Sequence, residues 1–160
     1  MDSQFWVNKR VLLTGHTGFK GSWLALWLAT KGAQVTGFGL APHTNPSLYE
    51  LADVKRDIES IEGDIRDLDS LNTAFEKNAI DADIHFAGLR AEGEIVKKPT
   101  EYYDVNVAVT TKLLLAIKRA GFKYRLVLAL MYTAVKQLLR TLNISGVGQP
   151  LILMALRRRW

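Results

Sequence analysis

Three glycines near the start of the chain have the spacing of a phosphate-binding turn. Gly15, Gly18 and Gly21 follow a short apolar run, residues 10–14, and precede a helical pattern over residues 18–31. In a strand, turn and helix of this kind, the first glycine permits a tight turn and the second lets the backbone approach a pyrophosphate. The third lets the helix pack closely on the strand, and the helix N-terminus attracts the phosphates. We therefore predict a dinucleotide site whose first contacts are Thr14, Gly15, Thr17, Gly18, Phe19 and Gly21.

Two other interpretations of this turn compete with dinucleotide binding. Glycines also occur in turns that bind nothing, although the order of strand, turn and helix within one βαβ unit favours a cofactor site. A P-loop requires lysine and then serine or threonine directly after its last glycine. Here Lys20 precedes Gly21 and Ser22 follows it, so the order is wrong for a nucleoside triphosphatase.

A second pair of residues that could do chemistry is Tyr132 and Lys136, at the start of a predicted helix over residues 132–142. Residues four apart share a helix face, so the lysine ammonium and a positively charged nicotinamide would lower the pKa of the Tyr132 phenol. The phenol would then accept a proton as a general base. The alternative is an aromatic residue at a helix edge beside a solvated lysine.

The elements that must position these residues alternate between short apolar runs and longer amphipathic segments, which is typical of a parallel sheet covered by helices. We predict strands at residues 10–14, 34–38, 58–62, 84–87, 125–130 and 151–155, and helices at residues 18–31, 68–77, 99–120 and 132–142. The predicted fold is α/β, a three-layer, Rossmann-like, doubly wound parallel sheet in a single domain. We place this NAD(P)-binding domain at residues 1–142. Residues 143–160 are expected to form a turn-rich loop, then either a sixth strand or an arbitrary end, and a basic tail.

The composition indicates a globular protein of a reducing compartment. The chain has 160 residues, of which 48% are hydrophobic and 23% charged, and it contains no cysteine. Disulfides and thiolate chemistry are therefore excluded. No apolar stretch approaches the roughly 20 residues of a membrane span, and the N-terminus lacks the features of a signal peptide. We expect a cytoplasmic protein without membrane contact.

The charge pattern and the histidines exclude two further kinds of site. Part of the net charge of +5 comes from residues 157–159, which we interpret as a solvated tail. Aromatic and basic residues do not interleave as they do in nucleic-acid modules, so no specific nucleic-acid partner is expected. A metal site is not expected either, because the histidines lack ligand spacing; they are His16, His43 and His85. The sequence leaves the oligomeric state open.

Several stretches of the sequence resemble the extended short-chain dehydrogenase/reductase family. The spacing Thr-Gly-x-x-Gly-x-x-Gly at residues 14–21 is that of the family, and residues 5–24, 46–50 and the run Gly-Asp-Ile-Arg-Asp at 63–67 are similar to CDP-glucose 4,6-dehydratases. The run His-Phe-Ala-Gly-Leu-Arg-Ala-Glu-Gly-Glu at 85–94 and residues 98–107 instead resemble UDP-glucose 4-epimerases. Tyr132 and Lys136 match the family's Tyr-x-x-x-Lys. The resemblance implies a truncated or chimeric relative of these enzymes, with NAD as cofactor and a sugar nucleotide as second ligand.

The same resemblance implies the remaining contacts to the cofactor. These are Asp64 and Ile65 at the adenine, Ala87 and Gly88 after the fourth strand, Arg90 near the ribose and phosphates, and Asn106 beside the nicotinamide half. Asp64 would accept a hydrogen bond from the adenine amino group. In the alternative interpretation, its carboxylate only stabilises a turn or caps a helix. Asn106 is mildly unfavourable in a helix interior, which supports a role for it.

Departures from the family pattern bear on activity. Val109 stands where the family often has glycine, and neither an acidic residue nor an arginine follows the second strand, so the choice of NAD over NADP rests on the resemblance. The predicted fifth strand runs almost directly into Tyr132, no serine lies between Ser70 and Ser145, and the relatives' substrate domain is missing. A hydroxyl to polarise a sugar carbonyl is then absent unless Thr133 supplies it. We predict binding of NAD without efficient turnover, with an active dehydratase or epimerase and an inert scaffold as the alternatives.

Overall fold

Five parallel strands form the central sheet in the part of the chain that the computed structural model describes, residues 4–88, 99–120 and 124–127. The strands are β1 (Arg10–Thr14), β2 (Gln34–Gly39), β3 (Glu59–Glu62), β4 (Ala82–His85) and β5 (Tyr124–Val127). Their order is β3-β2-β1-β4-β5, and each pairing is parallel. The chain first proceeds outward from β1 on one side and then returns to its other side, which leaves a crevice beyond the carboxyl ends of β1 and β4. The predicted Rossmann-like fold is confirmed.

Helices connect the strands and cover both faces of the sheet. They are α1 (Phe19–Thr30), α2 (Leu48–Leu51), α3 (Val54–Asp57), α4 (Leu68–Asn78), α5 (Pro99–Tyr103) and α6 (Thr110–Ala120), with a π helix at Asp104–Val109 between the last two. On one face the core contains residues of α1 and α3, and on the other it contains residues of α4, the π helix and α6.

The side chains of β1 show how the two cores arise. Val11 and Leu13 point to one face, where they join Leu28 of α1, whereas Leu12 points to the other face, where it joins Leu71 of α4. All five side chains are fully buried. A strand covered on both faces reads as a continuous apolar run, which is why its position is evident in the sequence.

The fourth strand begins two residues earlier than predicted. Ala82 pairs with Val11, so the ladder includes Asp83, which lies before the predicted start of the strand. Just before the strand, Asp81 accepts hydrogen bonds from the backbone N of Arg10 at 3.0 Å and from its guanidinium at 3.0 Å. The ion pair at the strand's start therefore aligns β4 on β1.

β2 ends one residue later than predicted, β3 begins one residue later and β5 begins one residue earlier. Other differences concern helices. α2 and α3 are short and were not predicted, although Ser47 and Glu50 have capping-box spacing and Ser47 Oγ accepts from Glu50 N at 3.2 Å. The π helix interrupts the single helix predicted over residues 99–120. The hydroxyls of Thr110 and Thr111 donate to main-chain carbonyl oxygens four residues earlier, at 2.9 and 2.7 Å. Such bonds distort a helix where they compete with its regular ladder.

The predicted helix at 132–142, the predicted strand at 151–155 and the loop and tail at 143–160 lie outside the described residues. Within the described ranges, none of the helices combines the length and the apolar character needed to cross a membrane.

Candidate functional site

The glycine-rich turn is closely packed at two of its three glycines. Gly15 has a φ of 75°, and a Cβ there would lie 2.7 Å from the backbone N of Ala87. A Cβ on Gly21 would overlap the carbonyl oxygen of Gly15. At Gly18 the backbone is ordinary for any residue, with φ −73° and ψ 161°, and a Cβ would come no nearer than 3.4 Å to Gly15 O. Close packing within the protein therefore accounts for the glycines at positions 15 and 21. It does not account for Gly18, where the absence of a side chain leaves the backbone accessible from the crevice.

The N-terminus of α1 starts at this uncovered position. Gly18 is its N-cap and has no side chain to accept from the first N–H groups, and the first turn contains no acidic residue. Those N–H groups and the helix dipole are therefore available for an anion. Ser22 Oγ donates to the carbonyl of His16 at 2.9 Å, which holds the turn against the helix. The arrangement is suited to a phosphate.

Thr17 and Phe19, which were also predicted to contact the cofactor, differ in their roles. Thr17 Oγ1 donates to the carbonyl of Leu40 at 2.8 Å, so it joins the turn to the segment after β2. The side chain of Phe19 is 69% exposed. Its backbone N–H belongs to the first turn of α1.

A partly buried polar cluster lies beneath the turn. His16 Nε2 is 2.7 Å from Ser60 Oγ, and Tyr49 OH donates to the same Ser60 oxygen at 2.7 Å. The imidazole lies across β2 at Gly37, where a Cβ would overlap the ring. Burial lowers the pKa of His16. Sequence reasoning missed this cluster, although a glycine inside a strand signals a close approach by another group.

The carboxyl end of β4 faces the turn across the crevice. Ala87 and Gly88 follow the strand and are half-buried, and the backbone N of Ala87 lies 3.4 Å from Thr14 Oγ1. His85 is buried with its ring nitrogens 2.7 Å from Thr14 Oγ1 and 3.1 Å from Thr110 Oγ1. The structure thus brings the glycine-rich turn and the predicted residues after β4 together.

Asp64 lies after β3, at the other end of the crevice. Its carboxylate accepts from the backbone N of Arg66 at 2.9 Å and from the guanidinium, and this pairing lowers the pKa of Asp64. Ile65 is buried in the core shared with α4. The turn role considered for Asp64 is therefore present, and Arg66 donates to both carboxylate oxygens.

The other predicted residues divide into two groups. Asn106 is buried in the π helix, which lies on the same side of the sheet as the His85 side chain. Arg90, Tyr132 and Lys136 lie outside the described residues. Among the residues that the structure describes, no group of three or more His, Cys, Asp or Glu side chains could hold a metal ion.

Comparison with known proteins agrees with this geometry. The family model described as the NAD dependent epimerase/dehydratase family matches residues 11–134. The chain is 41% identical over 121 residues to a CDP-glucose 4,6-dehydratase of Salmonella typhimurium, covering 76% of this chain and 34% of that protein. It is 42% identical over 117 residues to a UDP-glucose 4-epimerase of Neisseria meningitidis serogroup B, covering 71% and 34%.

Solved structures show the same likeness. A UDP-glucose 4-epimerase of Bifidobacterium longum in complex with NAD+ and UDP matches with a TM-score of 0.64 and 36% identity, over 74% of this chain and 36% of that one. The epimerase of Brucella ovis in complex with NAD matches with a TM-score of 0.64 and 32% identity, over 74% and 35%. The chain spans about a third of the length of these relatives. It belongs to the NAD dependent epimerase/dehydratase family.

Proposed function

We propose that the chain binds NAD across the carboxyl ends of β1 and β4, with the pyrophosphate on the turn at residues 15–21. The observation that carries this proposal is the glycine at position 18. The packing of the protein leaves room for a side chain there, so the fold does not require glycine. A ligand that approaches the backbone at this position would require it. Related structures of the family hold NAD, which supports the same cofactor here.

The proposal is tested by titrating the chain with NADH and following nicotinamide fluorescence. Saturable enhancement, reversed by NAD, supports it, and a flat titration would leave an inert α/β scaffold. NADP serves as the second competitor, because residues 40–46 contain neither an acidic residue for a ribose 2′-hydroxyl nor an arginine for a 2′-phosphate.

In this proposal the two halves of NAD lie on opposite sides of the turn. The adenine lies by Asp64 and Ile65, beyond β3, and the nicotinamide half lies by Ala87, Gly88 and Asn106, with Arg90 near the ribose and phosphates. The position of Asp64 after β3 and of Ala87 after β4 supports this direction, since the strands are on opposite sides of β1.

Replacing Asp64 by alanine is expected to weaken adenine ligands by roughly 1 to 3 kcal/mol, because the acceptor for the amino group is lost. AMP and NAD should weaken alike, and nicotinamide mononucleotide should not. Asp67→Ala is the matched control, because Asp67 caps α4 by accepting from Asp69 N at 3.1 Å. The Asp67→Ala variant should lose stability and retain its affinity for AMP. If Asp64→Ala instead weakens the binding of all three ligands equally, the adenine role of Asp64 is contradicted. Isothermal calorimetry measures each affinity.

We further propose that the chain binds NAD without efficient turnover of a sugar nucleotide. Tyr132 and Lys136 would be the proton acceptor and the cation beside it, as in an active dehydratase or epimerase. However, no serine occurs between Ser70 and Ser145 to polarise the sugar carbonyl. Without that hydroxyl the base alone gives little rate, because orienting the reacting groups contributes on the order of 7 to 11 kcal/mol to catalysis.

The expected result is therefore no multiple turnover when the chain is incubated with NAD and either CDP-glucose or UDP-glucose. The measurement is chromatography of the sugar nucleotides for a 4-keto product or an epimer. Repeated turnover that disappears in Tyr132→Phe would contradict this proposal and establish the active enzyme.

A further inference from the structure

A chain of buried hydrogen bonds connects both sides of the crevice through His85. Thr110 Oγ1 lies 2.9 Å from the carbonyl oxygen of Asn106, and since a carbonyl only accepts, the threonine hydroxyl must donate there. Its oxygen, 3.1 Å from His85 Nε2, is then available to the ring only as an acceptor. His85 Nε2 therefore carries the hydrogen and donates to Thr110.

The other half of the chain follows from the charge of the ring. Burial lowers the pKa of His85 to about 4, so the imidazole is neutral and carries one hydrogen only. Because that hydrogen is on Nε2, Nδ1 accepts, and Thr14 Oγ1 donates to it at 2.7 Å. Thr14 Oγ1 in turn lies 3.4 Å from the backbone N of Ala87, which donates to it. Every bond thus has the same direction, from Ala87 to Asn106.

The far end of this chain is the π helix. Its geometry is less favourable than that of an α helix and is rare, so it needs side chains that stabilise it. Thr110 stabilises it at the carbonyl of Asn106, and His85 fixes the orientation of that threonine. Both residues are buried, so no water competes for these bonds.

We propose that His85 is a positioning residue for the nicotinamide half of the cofactor, acting through Thr110 to hold the π helix of Asn106 against the end of β4. The inference rests on the proposed NAD binding. It assigns no contact between His85 and the ligand, since the ring is enclosed by Thr14 and Thr110.

The test compares NAD with ADP-ribose, which lacks only the nicotinamide, by calorimetry on the full chain. Thr110→Val removes the hydroxyl and is expected to weaken NAD about three- to tenfold, the effect of one hydrogen bond, while ADP-ribose changes less than about twofold. Thr110→Ser retains the hydroxyl and should bind NAD as the parent does. A Thr110→Val chain that loses both ligands equally, or neither, overturns the proposal.

A second pair of variants separates the two halves of the ring. His85→Gln places an amide donor near the position of Nε2, and His85→Asn places an acceptor near Nδ1, so only the glutamine can still donate to Thr110. We expect the glutamine variant to prefer NAD over ADP-ribose more strongly than the asparagine variant does. Equal preferences overturn the inference and leave NAD binding intact, whereas a parent chain that binds neither ligand overturns the proposed function as well.

Discussion

Replacing Gly18 by valine is expected to weaken NAD binding by roughly two orders of magnitude, about 3 kcal/mol, while the chain stays folded. The backbone at Gly18 already has angles that valine adopts, and a Cβ meets nothing closer than 3.4 Å. The cost to the fold is then that of a poor helix N-cap, about 1 kcal/mol. In the complex, however, the isopropyl group would occupy the place of the pyrophosphate. NADH fluorescence and thermal unfolding measure the two effects separately.

Gly21→Ala is the contrasting variant, because a Cβ there overlaps the carbonyl oxygen of Gly15. It should lose stability first and binding only as a consequence. If Gly18→Val titrates like the parent, the pyrophosphate does not lie on this turn.

Replacing Asp83 by valine is expected to raise the free energy of unfolding by several kcal/mol at pH 8.5. The carboxylate is fully buried on β4, its oxygens have no hydrogen-bond partner in the described part of the chain, and burial raises its pKa to about 8. Removing an unpaired buried charge eliminates that desolvation cost, and a valine side chain suits the pleated strand. Urea unfolding at fixed pH gives the difference.

The sign of the pH dependence follows from the same group. Between the ordinary value of 3.8 and the folded pKa of about 8, folded Asp83 retains a proton that the unfolded chain releases, so stability falls as pH rises through this range. His85 acts oppositely, because its pKa falls from 6.5 to about 4 and stability is lost as pH falls through that interval. His16, whose pKa is also lowered, adds to the second effect. From about pH 6.5 to 8 the Asp83 effect acts without opposition from the histidines.

Parent and Asp83→Val should therefore differ in the slope of stability between pH 6.5 and 8.5, with the parent falling and the variant flat. Asp83→Asn is the matched control, since it removes the titration but leaves a buried amide to be satisfied. It should be flat as well and less stable than the valine variant. A parent whose stability does not decline over this interval would show that Asp83 is ionised or solvated in the folded state.

The sequence was sufficient to predict the elements around the glycine-rich turn. β1 has the predicted bounds, and α1 begins one residue later and ends one earlier than predicted, because an apolar run, three glycines and a closing glycine are local signals. β4 shows the limit of such signals. Its pairing with β1 begins at Ala82, and no local pattern predicts that Asp83 is buried.

The polar contacts of the site depend on residues distant in the chain or on the local course of the backbone, and neither was predictable. His16 meets Ser60, 44 positions away, and His85 meets Thr14, 71 positions away. Asp64 was predicted from its motif, yet its ion pair with Arg66 depends on the turn that the intervening backbone makes. The π helix likewise depends on hydroxyls four residues from the carbonyls they contact, in a segment whose pattern is otherwise helical.

The contact between His16 and Gly37 limits how the sequence of this domain can change. Any side chain at position 37 would overlap the imidazole, and a smaller residue at position 16 would leave a cavity above β2. Each single substitution is thus unfavourable, whereas a glycine at 16 combined with a valine at 37 is expected to refill much of the space. The two positions should exchange together between homologues, and a designer who transplants a different phosphate-binding turn onto this scaffold must change both.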